Sequence, residues 1–318
     1  MLIKTDNTKI EYSWGDYRKN VRHAMAGLKF VDINPEDLVA VIAINLPEAF
    51  FIMSALNELR AVMVPINYPL VKEPDHKELK LILDDCKPKL IVANQCLTEY
   101  LEGSGIKFIS FEDILNKGRD CPDIDYPCFY KNIDPNNLFI MPYTSGTTGK
   151  SRGVMLSYRN ILDRVEAIGN ELKVSRQERL LSYLTLGHIS ELIATFFGQL
   201  RYGYTVYFTE YIKYALEDRE KLRQALPSIL QETKPTIFLA VPKVWTNIRK
   251  GIEKKTKYIP IKLNGRGLIR NWLVNRIIIN LGFDSVRHFI SAAAKLDQED
   301  KFFFSKLGIH IKDVYGQT

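Results

Sequence analysis

The sequence predicts an α/β protein with mostly parallel β-sheets flanked by helices. Three observations predict it. Short β-rich runs alternate with helical patterns along the chain. The composition is that of an ordinary globular protein, 46% apolar and 25% charged over 318 residues, which excludes a disordered, collagenous or coiled-coil chain. No internal repeat or low-complexity tract breaks the alternation. The length suits one large or two medium domains with a dry core.

Residues 39–44 read as a buried strand. Pro47 opens a helix to position 60, since proline fits a first helical turn, where its missing N–H has no partner anyway. Residues 61–64 and 90–93 are strand-like, separated by a helical stretch over 74–85. Residues 118–137, rich in Pro, Asp and Asn, predict a long surface connection. After it come strands at 138–142 and 153–156, then a helix over 157–172 with Ser157 as N-cap. Strands follow at 180–184, 204–208, 236–240, 289–293 and 310–314. Helices follow at 189–201, 216–232 and 298–306, and Val241-Pro-Lys-Val-Trp opens another. Ligands in such folds bind where strands end and loops cross to helices, which makes the loop after 138–142 the first candidate site.

Lys and Arg number 44 against 37 Asp and Glu, a net charge of +7. Residues 1–140 hold 16 basic and 21 acidic residues, net −5, whereas residues 141–318 hold 28 and 16, net +12. Much of the excess lies in 249–276, where Arg249, Lys250, Lys254, Lys255, Lys257, Lys262, Arg266, Arg270 and Arg276 face Glu253 alone. A solvated charged face, a polyanionic ligand or an anionic membrane surface would each account for it. Arg266, Arg270 and Trp272 lead into Leu273-Val-Asn-Arg-Ile-Ile-Ile, a basic amphipathic segment suited to lie on a bilayer. Peripheral membrane contact through 249–276 is therefore expected. No nucleic-acid module accompanies the charge, so nucleic acid is not an expected partner. The oligomeric state leaves no mark in the sequence.

The longest uninterrupted apolar run, 38–44, has seven residues, and a membrane span needs about 20. The N-terminus lacks a cationic-then-apolar signal. Four cysteines, at 86, 96, 121 and 128, form no C-x-x-C pair and read as reduced thiols; a zinc site would need tighter clustering. A cytoplasmic location, peripheral on membranes, is expected.

The candidate loop reads Tyr143-Thr-Ser-Gly-Thr-Thr-Gly-Lys-Ser-Arg-Gly-Val154. Gly146, Gly149 and Gly153 allow tight turns and bring N–H groups close to a ligand. Thr144, Ser145, Thr147 and Thr148 add hydroxyl donors, and Lys150 and Arg152 add positive charge. Converging donors and cations of this kind cradle polyphosphate. A polar hairpin turn is the plainer alternative. A P-loop is another, but Thr144 replaces its first glycine, and Gly153 with strand-like 154–156 would interrupt the helix that a P-loop lysine opens.

This loop resembles the AMP-binding signature of the adenylate-forming superfamily of acyl-CoA synthetases, luciferases and adenylation domains. The resemblance runs over nearly the whole chain. Tyr12-Ser-Trp with a helix to Phe30, Asn45-Leu-Pro-Glu48 through Val64-Pro-Ile-Asn67, and Leu184-Thr-Leu-Gly-His188-Ile-Ser-Glu resemble family blocks. So do Ile290-Ser-Ala-Ala-Ala-Lys-Leu296 and Val314-Tyr-Gly-Gln-Thr318. Ala240-Val-Pro-Lys-Val-Trp245 is similar to long-chain and bubblegum-type fatty acyl-CoA synthetases. Two departures stand out. Ser151-Arg152 replaces the family's Pro-Lys, and arginine keeps the charge. Ala292 and Ala293 replace two glycines, with Lys295 in place of proline, and each added methyl is expected to tighten the nucleotide pocket.

The resemblance implies the large N-terminal AMP-binding domain over residues 1–318, divisible into 1–137 and 138–318, with the C-terminal lid domain absent. It implies a long-chain fatty acid–CoA ligase that uses ATP, Mg²⁺ and coenzyme A. Thr144, Ser145, Gly146, Thr147, Thr148, Gly149, Lys150 and Arg152 would hold the phosphates. Tyr315 would face the adenine, with Gly316 and Gln317 beside it and Ala292, Ala293 and Ala294 opposite. Thr318 would meet the α-phosphate, and His188 would line the fatty-acid site. The acidic Mg²⁺ ligand, the ribose aspartate and the lid lysine are expected beyond residue 318. The chain alone is thus expected to be an inactive fragment. A ligase for another carboxylate and a nonenzymatic nucleotide- or lipid-binding remnant are the alternatives.

Overall fold

The computed structural model describes every residue except 7, 122–132, 146–150, 215, 217, 257–267, 315, 317 and 318. The chain begins with β1 (Leu2–Ile3), turned back antiparallel onto β2 (Lys9–Ile10). Helix α1 (Trp14–Phe30) starts at a capping box in which Ser13 and Asp16 each bond the other's backbone N–H. Strand β3 (Leu38–Ala43) has no polar side chain to offer a wet face and lies inside a sheet. Helix α2 (Pro47–Glu58) starts on Pro47, and β4 (Val62–Asn67), α3 (Lys77–Cys86) and β5 (Leu90–Ala93) follow. Next come α4 (Gln95–Leu101), β6 (Ile109–Ser110) and α5 (Phe111–Arg119). Helical crossovers make these strands parallel, in the order β4-β3-β5-β6. Helices α1 and α5 touch backbone to backbone. A methyl on Gly27 would sit 1.9 Å from the Ile114 carbonyl oxygen, and one on Gly118 1.7 Å from that of His23, so both positions require glycine.

Strand β7 (Leu138–Ile140) joins this sheet beside β4. Strands β8 (Tyr143–Ser145) and β9 (Ser151–Gly153) form a separate antiparallel hairpin, and β10 (Leu156–Ser157) returns antiparallel to β7. The six-stranded order is β10-β7-β4-β3-β5-β6, so strands from both sides of 137/138 share one sheet. The single strand expected over 153–156 is split in two. The Val154 N–H donates to the Pro142 carbonyl at 2.9 Å, closing the hairpin before the chain crosses to β7. Helix α6 (Tyr158–Leu172) starts on the expected Ser157 cap, completed by Asn160.

Strand β11 (Arg179–Leu181) precedes α7 (Ile189–Glu191), which runs through a π-helical segment, Leu192–Phe197, into α8 (Gly198–Tyr202). Strand β12 (Thr205–Thr209), α9 (Tyr211–Tyr214) and α10 (Arg219–Thr233) follow. Strand β12 lies between β11 and β1, giving a second sheet, β11-β12-β1-β2. The last elements are β13 (Ile237–Ala240), α11 (Pro242–Thr256), α12 (Leu268–Asn280), β14 (His288–Ser291), α13 (Gln298–Lys306) and β15 (Ile311–Asp313). Their three strands are parallel, in the order β13-β14-β15. One apolar core fills the space around α2, where Phe196 and Phe208 meet the Phe50 ring edge-on. A second is centred on Trp245, packed by Phe238, Phe283 and Phe304. Among the described residues no helix is long and apolar enough to cross a membrane. Cys86, Cys96 and Cys121 are free thiols, and Cys128 lies outside the described residues.

Candidate nucleotide and acyl site

The C-terminal strand ends of the three large sheets meet at one segment, residues 182–188, which leaves β11. From β3 comes Asn45, whose Nδ2 donates to Ser182 Oγ and to the Leu184 carbonyl, each at 2.7 Å. From β4 comes Asn67, whose Oδ1 accepts the Thr185 hydroxyl at 2.7 Å. From β13, the Leu239 carbonyl accepts the Tyr183 hydroxyl at 2.9 Å. The Ala292 N–H in turn donates to the Ala240 carbonyl at 3.2 Å, and the Val314 N–H to the Ser291 carbonyl at 2.8 Å, so the segments following β13, β14 and β15 emerge side by side. This is where α/β folds place ligands.

The hairpin leaves along the same edge. The Met141 N–H still donates to the Met63 carbonyl of β4 at 2.8 Å, so β8 rises beside the C-terminal half of that strand. Thr144 stands opposite Arg152, and Ser145 opposite Ser151. The expected site residues Gly146, Thr147, Thr148, Gly149 and Lys150 lie outside the described residues, as do Tyr315, Gln317 and Thr318. A strand, not a helix, follows position 150, so the segment is no P-loop. The hairpin rests on α3: the Tyr143 hydroxyl donates to Asp85 Oδ2 and the Ser151 hydroxyl to Glu78 Oε1, both at 2.5 Å. Burial, reinforced by Asp85, pushes the Tyr143 hydroxyl above its ordinary pKa.

His188 is the N-cap residue of α7 and keeps an exposed side. Its N–H donates to the Thr185 carbonyl and its carbonyl accepts the Glu191 N–H, each at 3.1 Å. Partial desolvation holds the imidazole below the ordinary histidine pKa, which favours its neutral form. Gly187 before it is pressed against β4: a methyl there would lie 2.6 Å from the Asn67 Cα.

Behind this turn lies a polar network that sequence reasoning missed. Glu191 is buried, and its Oε1 accepts from Ser182 Oγ at 2.7 Å, Thr195 Oγ1 at 3.1 Å and Asn45 Nδ2 at 3.2 Å. Burial pushes its carboxyl up to about 8, against the pull of these donors. Asn45 Oδ1 is buried without a partner. Asn45 and Ser182 are 137 residues apart. The available signal was polar residues standing inside apolar runs, Ser182 after Leu181 and Thr195 within Leu192–Phe197.

Of the expected adenine-side residues, Ala292 is buried, whereas Ala294 and Gly316 are exposed. Ala293 has φ +74°, the left-handed region that favours glycine. Among the described residues no group of three or more His, Cys, Asp or Glu side chains could hold a metal ion. Within the basic stretch, Arg249 pairs with Glu253 at 3.4 Å and, beyond the stretch, with Glu299 at 2.7 Å and buried Asp300 at 2.6 Å, which ties α11 to α13.

The chain is 30% identical over 234 residues to the human long-chain-fatty-acid–CoA ligase ACSBG2, covering 65% of this chain and 34% of that protein. It is 27% identical over 362 residues to the long chain acyl-CoA synthetase 6, peroxisomal, of Arabidopsis thaliana, covering 99% and 49%. The chain therefore spans less than half the length of these curated relatives. Among solved structures it superposes on the McyG A-PCP complex with phenylalanyl-adenylate with a TM-score of 0.76 at 17% identity, over 99% of this chain and 47% of that one. The N-terminal domain of FACL13 from Mycobacterium tuberculosis gives 0.74 at 18%, over 99% and 71%. These likenesses establish the adenylation-domain fold. The model of the family described as AMP-binding enzyme matches residues 2–318, and the chain belongs to that family.

Proposed function

We propose that this chain is the ATP- and carboxylate-binding part of an AMP-forming long-chain fatty acid–CoA ligase. What supports the reading is that the β8–β9 hairpin and the His188 turn both lie against β4, and that Tyr183, leading into the turn, bonds to β13, beside which Ala292 and Val314 emerge. In the first half-reaction a fatty carboxylate oxygen attacks the α-phosphorus of ATP, the bond to the bridging oxygen breaks, and pyrophosphate leaves an acyl-adenylate. In the second, the coenzyme A thiol attacks the acyl carbon and AMP leaves. The first step needs fixed donors and cations aimed at phosphate oxygens. This reading gives that work to residues 144–150 and Arg152, with Thr318 at the α-phosphate. Ala292–Ala294 and Tyr315–Gln317 flank the adenine. A neutral His188 approaches the carboxylate without adding a charge that would bind it too firmly to react.

The long-chain assignment is supported by the Val241-Pro-Lys-Val-Trp245 motif, whose Trp245 anchors the second core, and by the ligase relatives. Competitive binding of alkyl, aryl and aminoacyl sulfamoyl-adenosines to the chain tests it without requiring turnover. The C16 alkyl compound is expected to bind tightest. Preference for an aryl or aminoacyl compound overturns the fatty substrate, and binding of none overturns the nucleotide site.

Peripheral membrane contact rests on α12, where Trp272 and Ile279 are each 57% exposed and the Arg276 guanidinium lies 5.3 Å over the Trp272 ring. Co-sedimentation with anionic vesicles, weakened by Trp272→Ala and by salt, is the expected result. Binding that is absent, or indifferent to both, overturns it.

A further inference from the structure

The β8–β9 hairpin forms a sheet of only two strands, a unit with little stability of its own. Something outside it must fix its angle. Helix α3 is fastened to the core by Leu79 and Ile82, both buried. Seven residues apart, Glu78 and Asp85 fall on one face of that helix. Each takes a hydroxyl from a different strand of the hairpin: Ser151 of β9 to Glu78, and Tyr143 of β8 to Asp85, both at 2.5 Å. Gly153, opposite Tyr143, lets that ring lie close, since a methyl there would come within 3.0 Å of its Cζ. The two strands are thus pinned separately, with Lys150 next to one pinned residue in sequence and Arg152 next to it on the other side. Carboxylates are an odd choice beneath a loop meant for phosphate. They hold hydroxyls well, but their charge opposes a triphosphate.

We propose that Glu78 and Asp85 are positioning residues: they set the hairpin for phosphate binding, acting through the Ser151 and Tyr143 hydroxyls and touching no substrate themselves. The inference rests on the reading of this hairpin as the triphosphate cradle. Two double variants separate acceptor from charge. Glu78→Ala with Asp85→Ala removes both acceptors. Glu78→Gln with Asp85→Asn keeps an oxygen acceptor at each position and removes both charges.

Hydrogen exchange of peptides spanning 143–153 and equilibrium binding of MgATP are measured on each. In the alanine pair, exchange is expected to accelerate about tenfold and affinity to weaken about tenfold, the size of one or two lost hydrogen bonds. In the amide pair, exchange should match the parent and affinity should equal or exceed it by about twofold, a gain that shrinks with salt. Unchanged exchange in the alanine pair, or an amide pair as impaired as the alanine pair, overturns the proposal. If the alanine pair does not fold, Ser151→Ala with Tyr143→Phe removes the same two bonds from the hairpin side. If the parent chain binds no nucleotide, the functional reading falls, and the exchange measurements still decide whether α3 holds the hairpin.

Discussion

The His188 turn and the glycine-rich hairpin stand at neighbouring strand ends but are held in opposite ways. The turn is fixed from within: Asn45, Ser182, Glu191 and Thr195 are all buried and bonded to one another. The hairpin is fixed from outside, by two hydroxyl–carboxylate bonds near the surface of α3. Buried polar networks are costly to disturb, because a stranded partner keeps its desolvation penalty. Rim bonds lost to water are cheap. The comparison therefore predicts that damage to the turn is read in global stability, and damage to the hairpin in local order and ligand affinity.

The largest effect is expected at Glu191 and depends on pH. Its folded-state pKa of about 8 lies above the ordinary value of 4.5. Below 4.5 both folded and unfolded chains hold the proton and burial costs little. Between 4.5 and 8 the folded chain keeps a proton that the unfolded chain gives up, so stability falls as pH rises. The slope approaches roughly 1.4 kcal/mol per pH unit. Glu191→Gln cannot titrate. Urea unfolding at pH 5, 7 and 8.5 should show the variant gaining on the parent at each step. A difference that stays flat across this range would mean the carboxyl is ionised in the fold.

Gly187→Ala comes next. Its methyl would meet backbone, with the Asn67 Cα at 2.6 Å and N at 2.7 Å, and backbone cannot swing aside as a side-chain tip can. We expect a loss of about 2–3 kcal/mol, seen as a lower Tm, together with weaker binding of the C16 sulfamoyl-adenosine as the His188 turn lifts off β4. Ser151→Ala sits at the other end of the comparison. It should cost less than about 1 kcal/mol of global stability while still accelerating exchange in the hairpin. A large Tm drop in that variant would erase the distinction between the two regions.

What the sequence disclosed and what it hid follow the same division between local and distant causes. Residues 90–93 form a strand over the expected span because a short, fully apolar run has no other place to go. Gln298–Lys306 forms a helix over its expected bounds, with Asp297 capping it locally. The helices at 95–101 and 111–119 went unassigned, although Ser110 and Asp113 spell a local start signal and Phe111, Ile114 and Leu115 a buried stripe. Strand β1 was not legible at all: Leu2 and Ile3 gain their partner from Phe208 and Thr209, two hundred residues on. The glycine-rich loop was legible by composition. Its support was not, since Glu78 and Asp85 look like any other charges on an amphipathic helix. The partners of Arg249 were hidden in the same way, because Glu299 and Asp300 lie far from it along the chain.

Ala293 provides the smallest effect and a test of the proposed adenine side of the site. It follows β14 at φ +74°, where a side chain crowds its own backbone and costs about 1 kcal/mol or slightly more. Glycine removes that strain but also loosens the unfolded chain, which returns about 0.4–1 kcal/mol. The balance for Ala293→Gly is a gain of roughly 0.5 kcal/mol, visible as a small rise in Tm. Nucleotide affinity should rise by more than the stability change suggests, since the sequence comparison expects the alanine methyls to narrow the pocket beside Ala292. A stability gain without any gain in binding would separate the two consequences: the backbone at 293 would still be strained, and its methyl would not face the nucleotide.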